Sequence, residues 1–104
     1  MIPSIIFGGK YKDDRGLLRY NNSFDASIVK RIYIIENNLN FIRGWQGHKI
    51  EQRWFSAIKG QFKVQLIKID NWIEPDKELI IITFTLSENT LDVLHIPAGY
   101  ITSI

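Results

Sequence analysis

RGWQGHKIEQRWF, residues 43–55, decides how the rest of the chain is read. It opens on the turn-forming pair Arg43-Gly44 and closes on a strand-like apolar pattern. In an extended chain successive side chains alternate, so every second residue from 46 to 58 falls on one face. That face carries Gln46, His48, Ile50, Gln52, Trp54, Ser56 and Ile58. The opposite face carries Lys49, Glu51, Arg53 and Lys59, which belong in water, with Phe55 as the exception. The alternation predicts that His48 and both glutamines point inward, into a barrel lumen, among apolar neighbours. Polar groups on an inward face need hydrogen-bond partners or a ligand. This stretch is therefore the candidate site.

The flanking sequence repeats the strand pattern. SIVKRIYII (27–35), IEQRWFSAI (50–58), FKVQLIKI (62–69), LIIITFTL (79–86) and LDVLHI (91–96) are rich in β-branched and aromatic residues, which suit strands. IIFGG and GLLRY are shorter candidates. Between them lie turn residues: DDRG at 13–16, ENNLN at 36–40, KG at 59–60, NWIEPDKE at 71–78, SEN at 87–89 and PAG at 97–99. The best helical rival, DASIVKRIYIIENNL, is weakened by its β-branched content. Short strands at regular spacing predict an all-β sandwich or barrel.

Composition bounds the rest. At 104 residues, 45% apolar and 23% charged, the chain makes one domain, 1–104, with a modest core. The net charge of +2 comes from scattered lysines and arginines, so no polybasic patch speaks for nucleic acid. With no cysteine, disulfides, thiolate metal sites and a cysteine nucleophile are excluded. The start lacks the pattern of a signal peptide and the longest apolar run, 79–86, is strand-length, so no membrane span and a cytoplasmic location are expected.

Gly44, His48 and Gly60, followed by PAGYIT at 97–102, together resemble the two-motif layout of the cupins, small jelly-roll β-barrels. Metal-binding cupins use two histidines, a glutamate and a final histidine. The resemblance lays those positions on Gln46, His48, Gln52 and Thr102. Amides and a hydroxyl hold a divalent transition metal poorly, so neither metal nor cofactor is expected. His95, the other histidine, is expected to play an inward structural part.

Two further segments narrow the resemblance. DDRGLL (13–18), then KRIYII with RGWQGHKIEQ, is similar to the signature of the WxcM-like nucleotide-sugar 3,4-ketoisomerases and, more distantly, to the dTDP-4-dehydrorhamnose 3,5-epimerases. It extends from about residue 8 to about residue 100. The resemblance implies a cupin-type jelly roll, metal-independent proton transfer on a dTDP-4-keto-6-deoxyhexose, and a homodimer. The epimerase base position falls on Gln46, which takes no proton from carbon at neutral pH. The second histidine of the ketoisomerase pair falls on His48. The resemblance thus implies His48 as base, Tyr33 as acid, and Gln46 and Gln52 as polar positioners. Arg43 would contact the diphosphate, which suits a guanidinium fork, and Trp54 the ligand. Asp13, Arg15 and Gly16 are expected to be architectural: the acid pins the arginine and the glycine permits the turn. Relatives continue beyond a second motif of this kind, so either the last strands are missing or a partner covers the open sheet edge. Two rival expectations remain: a cupin that binds a sugar or sugar nucleotide without catalysis, and a structural partner subunit of a sugar-modifying enzyme.

Overall fold

The computed structural model describes residues 2–38, 41–48, 50–74 and 79–104, with the backbone alone at His48. Among these residues the chain is all-β, without a helix, and every strand pairing is antiparallel. The strands are β1 (Ser4–Ile6), β2 (Gly9–Asp13), β3 (Gly16–Tyr20), β4 (Gln46–His48), β5 (Arg53–Phe55), β6 (Gln61–Lys68), β7 (Ile81–Ser87), β8 (Val93–Ile96) and β9 (Tyr100–Ser103). One sheet runs β1-β8-β5, a second runs β4-β9-β6-β7, and β2-β3 form a separate hairpin. The two larger sheets do not close into a barrel; they share a core as the layers of a sandwich do.

Alternation builds that core. Val64, Leu66, Leu86 and Tyr100 from the second sheet meet Leu94 and Ile96 from the first, with Ala57, just past β5, in the same cluster. Ile5, Phe55, Phe62, Phe84 and Ile104 pack around this cluster. Leu66, Leu94, Ile96 and Val64 are the largest side chains withdrawn from water, each worth about 1.5–3 kcal/mol. The expected turns hold the sheets together. Gly16, Gly60 and Gly99 all have positive φ, at 133°, 82° and 97°, a region that other residues enter at a cost.

Two expectations fail. The stretch 46–58 is not one strand: β4 and β5 are separated by residues 50–52, which lie outside any strand. The buried parity past the break is also the reverse of the expected one. Phe55 and Ala57 face the core, while Ile50 and Ile58 are 86% and 60% exposed. Alternation carries a face only through unbroken strand, and Phe55, the residue that did not fit, marked the true inward side. The second failure is 27–35. It begins with a turn, in which Val29 N donates to Ala26 O at 3.0 Å, and continues exposed and outside any strand. Its β-branched residues favour an extended chain, but a strand exists only with a ladder partner. None is present among the described residues.

A small polar network ties the first strands to the sheets. The Asn21 side chain donates to the carbonyls of Ile6 (2.9 Å) and Leu91 (2.8 Å) and accepts from the amides of Ser23 and Phe24. Beside it, Asp92 accepts from Gly8 N at 2.8 Å and from the Thr90 hydroxyl. The backbones here are so close that a Cβ on Gly8 would lie 2.4 Å from Leu91 O and 2.5 Å from Tyr20 O. Arg19 reaches from the hairpin to the carbonyls of Ile58 and Glu88.

Candidate functional site

Arg43, Gln46 and His48 lie along one line, against β9. Arg43 exchanges both backbone hydrogen bonds with Ile104, at 2.9 and 3.0 Å. Further on, Gln46 stands opposite Thr102 and His48 opposite Tyr100. Two residues lie between 43 and 46, but only one lies between 102 and 104. One extra residue is therefore accommodated at Gly44-Trp45, as in a β-bulge. Opposed residues share a face, so the bulge brings Arg43 onto the side of Gln46. Without it, the two side chains would point to opposite faces.

That side is the core side of the second sheet, carrying Thr102, Ile104 and Leu66. Arg43 and Gln46 remain exposed, so they form its rim. The Arg43 guanidinium donates from Nε to Asn37 Oδ1 at 2.9 Å. Lys68 stands across β9 from His48, paired with Tyr100. Sequence reasoning did not single out Lys68; its signal was a charge ending a strand whose register to PAGYIT was unknown. On the opposite face Gly47 lies beneath Trp72: a Cβ there would be 3.0 Å from the indole ring.

Gln52 and Trp54 belong elsewhere. Trp54 shares the first sheet with His95, on the side away from Leu94 and Ile96, and Gln52 lies just before β5. Trp54 is the cross-strand partner of His95, and the rings stack with centroids 5.4 Å apart and planes at 22°. Gln52 Oε1 lies 2.7 Å from His95 Nε2, a hydrogen bond between the two side chains. Phe24 closes the group, its ring 6.4 Å from that of Trp54. Burial holds the His95 pKa below its ordinary value, so the ring is neutral at neutral pH. His95 thus sits on the outer side of its sheet rather than in the core, a correction to its expected inward place.

The site residues expected from the sequence therefore divide. Arg43, Gln46 and the His48 backbone are aligned on β4 and its approach. Gln52 and Trp54 gather around His95. Tyr33 is in neither group: it is 73% exposed on the segment without a strand. The side chain of His48 lies outside the described residues. Among the described residues no three His, Asp or Glu side chains cluster in a way that could hold a metal. No described helix is long and apolar enough to cross a membrane.

The DDRG element builds the β2–β3 hairpin end. Asp13 accepts from the Arg15 amide at 2.9 Å and from its guanidinium, at 3.1 Å from Nε. The side-chain bond to Arg15 is the main reason that the Asp13 carboxyl titrates below its usual range. An open depression of about 330 Å³ lies here, lined by Tyr11, Asp13, Arg15, Gly16, Leu17 and Leu18. No protein-family model, curated protein or solved structure matches this chain.

Proposed function

We propose that the protein is a cupin-type jelly-roll isomerase of nucleotide sugars. It would convert a dTDP-4-keto-6-deoxyhexose to its 3-keto isomer by metal-independent proton transfer, in the cytoplasm and as a homodimer. The observation that supports this best is the alignment against β9. The strand bearing the first cupin-like motif lies beside the strand bearing the second, with Gln46 opposite Thr102. Those are two of the positions that the resemblance places in the site.

The chemistry asks little of the protein beyond position. His48 takes the proton from C3 of the 4-keto sugar, and an enediol forms across C3 and C4. The hydroxyl proton passes from the C3 oxygen to the C4 oxygen, and the carbon proton, the same one or one from solvent, is delivered to C4 as the C3 oxygen becomes the carbonyl. An imidazole with a pKa near neutrality suits both steps. The Gln46 amide donates to the developing enediolate, and Arg43 meets the diphosphate with charge-assisted bonds. Gln52 and Trp54, gathered at His95 on the outer side of the other sheet, do not share this face and take no part in the proposed step.

A second reading is a cupin that binds a sugar nucleotide without turning it over. The exposure of Tyr33 favours it, because the expected acid is 73% open to water on a segment without a strand. Incubation with dTDP-4-keto-6-deoxyglucose in deuterated water separates the two. The isomerase incorporates deuterium at C3 or C4, visible by NMR, whereas the binding module shows a dTDP-dependent rise in melting temperature and no label. Neither label nor a melting shift at millimolar dTDP would remove both readings.

A further inference from the structure

The chain exposes more surface than a folded chain of its mass should. Its accessible area is 8250 Å², against about 6,100 Å² expected for a monomer of this size. The radius of gyration is 15.2 Å, where about 13 Å is usual for this length. The difference of about 2,000 Å² is what one partner contributes to a permanent dimer interface.

The sheet edges show where such a partner fits. Natural edges are blunted by shortness, charge, proline or bulges. β1, β4 and β5 are three residues each, and the β2–β3 hairpin carries Lys10, Lys12, Asp13 and Arg19. β7 has none of these protections. It is seven residues long, Ile81-Ile82-Thr83-Phe84-Thr85-Leu86-Ser87, without charge or proline. It pairs with β6 throughout, and no described strand lies on its other side. The side chains there are apolar and open to water, with Ile80, Ile81 and Ile82 at 80%, 52% and 37% exposure.

We infer that the free edge of β7 is the interface with a second copy of this chain, pairing antiparallel to the partner's β7 about a two-fold axis near Phe84. An antiparallel self-pair is isologous, as a two-fold dimer requires, and it joins two four-stranded sheets into one. Thr83 of each chain then stands across from Thr85 of the other. This deepens the homodimer of the proposed function by naming its surface, and it does not depend on the reaction.

The test measures solution mass and proximity on the full chain. Light scattering is expected to give twice 12.2 kDa for the wild type, and half of that for Thr83→Lys/Thr85→Lys with its β-sheet circular dichroism intact. The chain has no cysteine, so Thr85→Cys carries a single spin label, and strong dipolar broadening is expected between labels in the dimer. A monomeric wild type overturns the inference. So does a dimer whose Thr85 labels show no broadening, which also decides the matter if the double-lysine variant does not fold. dTDP-induced melting shifts on the same samples keep this outcome apart from that of the isomerase reading.

Discussion

Arg43 shows how much one residue's role depends on a local irregularity. Strict alternation from Gln46 would turn it to the other face; the extra residue at Gly44-Trp45 returns it to the rim, paired with Ile104. The Arg-Gly pair was legible as a turn, but not the register against β9 that makes it a bulge. Hydrogen bonds to a charged group contribute more than neutral ones, though Arg43 is exposed and partly screened. Arg43→Ala should weaken dTDP binding by about 1–2 kcal/mol, roughly five- to thirtyfold in Kd. Calorimetric titration measures this. His95 supports a second prediction. Its folded pKa is depressed below the ordinary 6.5, so the unfolded chain binds the proton more readily. The stability of the neutral, stacked ring is then fully present above about pH 6.5 and is lost as pH falls through and below that value. The wild-type melting temperature should drop more steeply between pH 7 and pH 5 than that of His95→Gln; parallel profiles would contradict the assignment.

At the scale of elements, the sequence was readable wherever a strand is long and edged by turn residues. β3, β6, β7 and β8 fall within a few residues of their expected positions, because β-branched alternation ends at Asp-Arg-Gly, Lys-Gly, Ser-Glu-Asn and Pro-Ala-Gly. The quoted stretch was not readable in this way, since residues 50–52 break the strand and reset the parity. Segment 27–35 failed for a different reason: propensity is local, whereas pairing is not. Asn21 lay outside every motif, yet its side chain joins the end of β1, the loop before β8 and its own turn. Asn21→Ala leaves the Ile6 and Leu91 carbonyls without that donor. A part-buried acceptor left unpaired costs about 1–3 kcal/mol, readable as a lower urea midpoint at unchanged m-value. A loss below about 0.5 kcal/mol would mean that water replaces the amide.

Across the whole molecule, an all-β architecture was legible from composition and turn spacing, but the arrangement of the sheets was not. The inward face expected of 46–58 would have gathered Gln46, His48, Gln52 and Trp54 in one lumen. Instead the strand break leaves Arg43, Gln46 and the His48 backbone along β9, and gives Gln52 and Trp54 to His95. The proposed reaction assigns the two histidines different parts. His48 would move the proton, whereas His95, stacked on Trp54 and bonded to Gln52, has a structural part on the outer side of its sheet. Deuterium incorporation from solvent into dTDP-4-keto-6-deoxyglucose, followed by NMR for His48→Asn and His95→Asn side by side, tests this most directly. The account predicts that His48→Asn lowers exchange by about 10² to 10⁴, the usual contribution of a general base, while still binding dTDP, and that His95→Asn retains exchange within about tenfold of wild type. Exchange undiminished in His48→Asn would contradict it.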